Sequence, residues 1–263
     1  MIDIHSHILP GVDDGPQTLE ESLRILKKAA DEGVKTIVTT PHVLDGPSEN
    51  YFQRIRNTFN VIKHALISDK IPIKIVWGAE VFIFHDLAQK IKGNKELTIN
   101  MANKYILLEL PVQEIPPFTE QTVFELLLQG IVPIIAHPER YLEIQKNANK
   151  LFDLVQKGVL TQLNSGSLTG RYGKKAQKTA KRLLTNNLIY MIGSDVHSTF
   201  NGYCSLSQGV NRAAELIGMR KARQMVTSIP ARVIRGEEIA TFPCISEKAG
   251  KIAAGGKNLT LSG

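Results

Sequence analysis

Apolar residues gather into seven short runs, at 1–4, 34–40, 73–79, 105–110, 131–136, 159–164 and 188–193. Each has the length of a strand, and successive runs begin about 30 residues apart, the interval of one strand, one helix and two connections. A β-sandwich would space its strands at about 8 to 12 residues. Between the runs, apolar positions recur every three or four residues, which predicts helices at 18–32, 49–68, 119–129, 148–157, 174–186 and 205–222. The first is the clearest. Thr18 and Glu21 form an S/T-x-x-E capping pair, Leu19, Leu23, Leu26 and Ala30 make a core stripe, and Gly33 supplies a stop. This alternation predicts a parallel α/β barrel in a single domain over residues 1–240. Residues 241–263 have little apolar periodicity and are expected to form a flexible tail, with a short docked strand at 258–262 as the competing arrangement.

Hydrophobic content of 43% and charged content of 22% are ordinary globular values and exclude a disordered or fibrous chain. No apolar run approaches membrane-spanning length, and Met1-Ile2-Asp3 opens on a strand without a basic leader. A cytoplasmic protein without a transmembrane segment is therefore expected. Cys204 and Cys244 lack C-x-x-C spacing, which suits a reducing compartment. The net charge of +7 fits an anionic partner or solubility alone; no nucleic acid is expected. Arg171, Lys174, Lys175, Lys178, Lys181 and Arg182 form a basic helix start and face, either solvated or able to dock an acidic segment.

The chemistry lies where the runs end. His5, His7, Asp14, His42, Glu80, Glu109, His137, Asp195 and His197 all fall there, and they include five of the seven histidines. In a parallel barrel the carboxyl ends of the strands converge on one rim however far apart they are in sequence. His5 and His7 alternate with Ser6, so an extended segment projects both rings to one side. Alone, His42 reads as a structural hydrogen-bonding residue and Glu109 as the partner of a buried arginine. Together, four carboxylates and five imidazoles on one rim require cations, because an unpaired buried charge costs several kcal/mol. Nitrogen and oxygen donors without thiolate leave manganese, iron or zinc as occupants. Four carboxylates facing three divalent ions leave a net positive site that attracts phosphate. Such ions lower the pKa of bound water and hold attacking and leaving oxygens at phosphorus, which points to phosphomonoester hydrolysis. A cysteine-dependent phosphatase needs Arg six residues after Cys, where this chain has Val210 and Gly250, and no P-loop is present.

Asp-Ile-His-Ser-His-Ile-Leu-Pro-Gly-Val-Asp-Asp-Gly at 3–15 resembles the opening motif of the polymerase and histidinol phosphatase (PHP) superfamily. Thr-Pro-His at 40–42, Gly-Ala-Glu at 78–80, Leu-Leu-Glu at 107–109, Ala-His-Pro-Glu-Arg at 136–140, Gly-Ser-Leu-Thr-Gly-Arg-Tyr-Gly at 166–173 and Gly-Ser-Asp-Val-His at 193–197 resemble the bacterial manganese-dependent protein-tyrosine phosphatases of capsule and exopolysaccharide synthesis. The resemblance implies a distorted (β/α)7 barrel and three divalent ions, Mn2+ ahead of Fe or Zn. It implies as substrate the phosphotyrosine-bearing tail of a polysaccharide co-polymerase tyrosine kinase. It places His5, His7, Glu80 and Asp195 on one ion, Glu80, Glu109 and His137 on a second, and Asp14, His42 and His197 on a third, with Asp13 the alternative to Asp14. His42 and His197 stay open as ligands or proton donors. Arg140 is the candidate phosphate fork and Arg171 a second one, with a salt bridge to Glu139 the plainer role for Arg140. Two departures stand out: 198–203 lack the arginine usual after Asp-x-His, and Ile-Pro-Ala-Arg at 229–232 varies the usual Asn-Pro. A small-molecule phosphatase of the superfamily, acting on histidinol phosphate or nucleotides, and a lapsed metal-bound interaction module are the alternatives.

Overall fold

The computed structural model describes residues 1–44, 48–199, 205–241 and 243–246. Its strands are β1 (Ile2–Asp3), β2 (Thr36–Thr39), β3 (His42–Val43), β4 (Lys74–Trp77), β5 (Glu80–Phe82), β6 (Tyr105–Glu109), β7 (Val132–Ala136), β8 (Leu160–Asn164) and β9 (Met191–Gly193). Among the described residues every strand pair is parallel. One sheet has the order β1-β2-β4 and the other β3-β5-β6-β7-β8-β9. A parallel bridge joins Ser6 to Val196, with His7 N–H donating to Val196 O at 3.0 Å and Asp195 N–H to His5 O at 2.9 Å.

The second and third apolar runs each yield one strand and are followed closely by a second. Pro41 has no N–H to give to a ladder, so the strand pairing stops before it and β3 begins after it. Gly78 breaks the next run, because a Cβ there would lie 2.7 Å from Val38 Cγ1 and 3.0 Å from Thr39 O, an approach that only glycine permits. His42 and Glu80 therefore lie just past β2 and β4 and each opens a short strand of its own. They are register partners in β3 and β5, with Glu80 N–H bonded to Pro41 O at 3.1 Å.

The helices follow the predicted stripes. They include α1 (Leu19–Asp31), α2 (Glu49–Ser68), α3 (Leu87–Lys90), α4 (Thr119–Leu128), α5 (Leu142–Lys146), α6 (Asn149–Gln156), α7 (Ser165–Leu168), α8 (Gly173–Thr185), α9 (Leu206–Ile217), α10 (Met219–Gln224) and α11 (Ser228–Ile234). Thr18 caps α1 by accepting from Glu21 N, but the Glu21 carboxylate accepts from Gln17 N–H instead of closing the box on Thr18. The helix expected at 205–222 is broken by Gly218, whose φ of 84° and ψ of 146° end α9. Val38, Leu107, Ile134, Ile135, Leu163 and Ile192 are fully buried, and neighbours along a strand such as Ile134 and Ile135 fill the core on opposite faces of the sheet. Strands of two or three residues have little stability of their own. Burial at about 1.5–3 kcal/mol per large aliphatic side chain holds them in place.

Pro243–Ser246 run beside the end of α8, where Ile245 N–H donates to Asn186 O at 2.9 Å. Cys204, the segment 200–203 and most of the expected tail, including 258–262, lie outside the described residues. Among the described residues no helix is long and apolar enough to cross a membrane. Lys174, Lys175, Lys178 and Lys181 are exposed on α8, whereas Arg182 turns inward and donates to Ile144 O and Gln145 O.

Candidate metal centre

His5 and His7 leave β1 with Ser6 between them. Ser6 Oγ donates to Val38 O and its N–H to Thr40 Oγ1, which holds Ser6 toward β2 and turns both imidazoles the other way. The two Nε2 atoms approach to 3.1 Å, and Glu80 Oε2 lies 3.1 Å from each. Asp195 Oδ1 stands 3.4 Å from His5 Nε2 and 3.5 Å from His7 Nε2. His137 Nε2 is 3.0 Å from Glu80 Oε1 and 3.7 Å from Glu109 Oε1. His42 Nδ1 is 3.2 Å from Glu80 Oε2 and 3.6 Å from Glu109 Oε2, while its Nε2 is 3.6 Å from Asp14 Oδ1. Asp14 Oδ1 is also 3.2 Å from His197 Nε2, and the His197 ring stacks on His7 with centroids 4.0 Å apart.

All nine expected donors thus meet in one place. Three sets have donor atoms close enough to share a cation: His5, His7, Glu80 and Asp195; His7, Asp14, His42 and His197; and His42, Glu80 and Glu109. The first matches the expectation, the second adds His7, and the third brings in His42 beside the pair of carboxylates that His137 also faces. Of the two remaining histidines, His85 stacks on Phe118 with centroids 3.8 Å apart.

Hydrogen bonds fix which nitrogen of His5, His7 and His197 is bare. Asp195 Oδ2 can only accept when ionised, so Asn164 Nδ2 donates to it at 2.6 Å. Asn164 Oδ1 then accepts from Gln162 Nε2 at 3.0 Å, which leaves Gln162 Oε1 to accept from His5 Nδ1 at 2.7 Å. His5 therefore presents the lone pair of Nε2. Asp13 Oδ2 does the same for His7 through Nδ1 at 2.8 Å, and the Asp195 carbonyl does so for His197 through Nδ1 at 3.0 Å. Asp13 also accepts from Gly15 N–H and His42 N–H, so this member of the acidic pair holds the loop while Asp14 faces the imidazoles.

Several observations fit these residues to cations. Glu80 Oε2 and His42 Nδ1 are buried and form no hydrogen bond, although three imidazole nitrogens surround that carboxylate oxygen. Burial disfavours charge on His5, but the Glu80 and Asp195 carboxylates outweigh it and raise its pKa to about 9. Burial, and then the charge of Glu80, push Glu109 up to about 7. A site without ions is thus driven to retain protons where positive charge is wanted. His137 and Asp195 are non-glycine residues held at φ of 32° and 52°, strain of about 1–3 kcal/mol each of the kind that accumulates at functional sites.

Arg140 pairs with Asp195 Oδ2 at 3.0 Å, with its guanidinium 4.8 Å over the Tyr172 ring. It does not bind Glu139. That carboxylate is buried, accepts from Ser167 Oγ and Asn164 N–H, and has its pKa raised to about 7 by burial. Arg140, Arg171 and Tyr172 share a cleft of about 420 Å3 with Asp14, Glu80 and His197. Sequence reading left open which of Asp13 and Asp14 holds the loop, and it missed the supporting roles of Gln162, Asn164 and Tyr172. The signal for two of them was present, since Gln162 and Asn164 are polar at alternate positions of a fully buried strand.

Residues 1–235 match the family described as capsular polysaccharide synthesis, CpsB/CapC. The chain is 38% identical over 198 residues to the tyrosine-protein phosphatase YwqE of Bacillus subtilis, covering 75% of this chain and 78% of that one. It is 35% identical to CapC of Staphylococcus aureus over 94% of each chain. A solved structure from work on YwqE of Bacillus subtilis and CpsB of Streptococcus pneumoniae, described as unique metal-dependent tyrosine phosphatases, superposes with a TM-score of 0.87 at 33% identity over 94% of this chain and 99% of that one. The phosphotriesterase homology protein of Escherichia coli, at 9% identity and a TM-score of 0.56 over 88% of this chain and 97% of that one, shares the fold alone. By sequence and by structure, this chain belongs to the CpsB/CapC family of capsular polysaccharide synthesis.

Proposed function

We propose that this chain is a metal-dependent protein-tyrosine phosphatase that acts on the phosphotyrosine-bearing tail of the tyrosine kinase of capsule or exopolysaccharide synthesis. The observation that carries the reading is the convergence of eight nitrogen and oxygen donor residues, Glu80 among them, with His137 on Glu80 Oε1 and Arg140 and Arg171 in the same cleft. Its relatives are named for that activity. The two parallel sheets, bridged at Ser6 and Val196, are read as a distorted (β/α)7 barrel of PHP type. Three divalent ions, Mn2+ first among Mn, Fe and Zn, are assigned to His5, His7, Glu80 and Asp195, to Glu80, Glu109 and His137, and to Asp14, His42 and His197. When bound, such ions supply an acidified water and neutralise charge on a phosphoryl group.

The protein's own side chains do the rest. Gln162 and Asp13 hold His5 and His7 with Nε2 bare, so these rings serve as ligands and not as proton donors. His197 is held the same way by the Asp195 carbonyl. Arg140, anchored on Asp195 and Tyr172, turns its remaining N–H groups to phosphoryl oxygens, and Arg171 adds a second cation from the same loop as Tyr172. Turnover of a phosphotyrosine peptide, histidinol phosphate and a nucleoside monophosphate, each with added Mn2+, tests the reading. The peptide is expected to be the preferred substrate, and its hydrolysis should vanish on exhaustive chelation and in His7→Ala. Activity that survives chelation would overturn the metal mechanism, and preference for either small molecule would overturn the protein substrate.

A further inference from the structure

Beside the metal cleft lies a second cavity of about 750 Å3. The two share Asp14, His42 and Glu109, which form a ridge between them. The cleft is walled mainly by charged groups, whereas the chamber beyond the ridge is walled mainly by Val12, Val43, Leu44, Tyr51 and Phe82, with Asp13 and Ser48 its remaining polar lining. These side chains come from the loop after β1, from β3 and its continuation, from α2 and from β5, so the wall is assembled by the same elements that deliver His7, His42 and Glu80. Internal bonds brace it. Tyr51 donates its hydroxyl proton to His42 O, and Arg54 spans the wall by donating to Val12 O at 3.1 Å with its guanidinium 5.2 Å over the Tyr51 ring. Leu44 is 64% exposed, an apolar side chain that a ligand in the chamber would cover.

We infer that this chamber receives the aromatic ring of the ester, so that Leu44 and Phe82 make the site prefer aryl over alkyl phosphomonoesters. The inference rests on the phosphatase reading above and names what selects the substrate. An ester with its phosphorus at the shared ridge has arginines on one side and an apolar wall on the other. Its phosphoryl oxygens go to Arg140 and Arg171, and its organic group is left the wall. A phenyl ring gains by leaving water there. It also sets a peptide backbone one ring length further from phosphorus, whereas a serine ester would have to draw its polar backbone into the cleft.

The test compares kcat/KM for phenyl phosphate and for glycerol 2-phosphate, with Mn2+ present, in the wild type, Leu44→Ala, Phe82→Ala and the milder Phe82→Leu. Bound metal per chain is measured for each, because Phe82 is the register partner of Glu109. The wild type should favour phenyl phosphate, and the ratio should fall about tenfold in the alanine variants, chiefly through KM, at unchanged metal content. Phenylphosphonate should likewise inhibit more tightly than methylphosphonate, with the gap narrowing in the same variants. An unchanged ratio at full metal content would overturn the chamber and leave the phosphatase reading standing. So would a ratio that collapses in Tyr172→Ala alone, which would place the ring on the arginine side. Hydrolysis of neither ester by the metal-loaded wild type would overturn both.

Discussion

Asp13 and Asp14 are neighbours in the chain with opposite duties. Asp13 is largely buried and spends its oxygens on His7, Gly15 and His42, and its pKa is lowered because the bond from His7 overcomes the effect of burial. Asp14 is 68% exposed along its side chain, and its contact with the His197 imidazole holds its carboxyl below the ordinary range. The two should therefore respond differently to Asn. Asp14→Asn removes a charged donor, so about one ion fewer per chain should survive dialysis. Asp13→Asn lets an amide compete for the tautomer of His7, which should weaken metal affinity about 10- to 100-fold while saturating metal restores full occupancy. Metal analysis across a titration distinguishes the two, and identical behaviour would contradict the division.

At the level of elements, the site depends on how closely strands approach behind it. Gly193 ends β9, and a Cβ there would lie 2.8 Å from both His5 Cβ and Gln162 Nε2. The crowding strikes both His5 and the amide that sets its tautomer. Gly193→Ala should cost about 1–3 kcal/mol, as overpacking does, and should weaken metal binding as well. Thermal unfolding and metal titration should move together. A loss of stability with unaltered metal affinity would show that β9 and the His5 site are independent. The same logic accounts for the paired short strands: Pro41 and Gly78 interrupt the ladders where His42 and Glu80 must turn toward each other.

For the whole molecule, folding gathers charge that ions are needed to balance. In the metal-free chain His5 holds its proton to about pH 9 and Glu109 to about pH 7. Both values lie above those of the unfolded chain, so the native state binds more protons and its stability falls as pH rises through each value. Glu80 and Asp195 are shifted downward, and their contribution is lost only in acid. Between pH 6 and pH 9 the chelated protein should therefore melt at progressively lower temperature. Added Mn2+ takes the place of those protons, so it should raise Tm more at pH 9 than at pH 6. Thermal scans with chelator and with metal at both pH values check the sign, and a metal effect larger at pH 6 would refute it.

The amino-acid sequence by itself determined the kinds of element and the candidate donors. Periodicity and residue type are local properties, and the seven apolar runs, six of them with His, Asp or Glu at their ends, could be read without any contact. It also pointed to the limits of α1 and α2, where caps and stripes coincide. Only the tertiary structure decided which donors meet, because His5 and Asp195 become neighbours through the Ser6–Val196 bridge and no local pattern carries a distance across 190 positions. The division between Asp13 and Asp14, the turn of Arg140 toward Asp195 and away from Glu139, and the chain from Asn164 through Gln162 to His5 belong to the same class. Each depends on strand register, which is set by packing over the whole sheet.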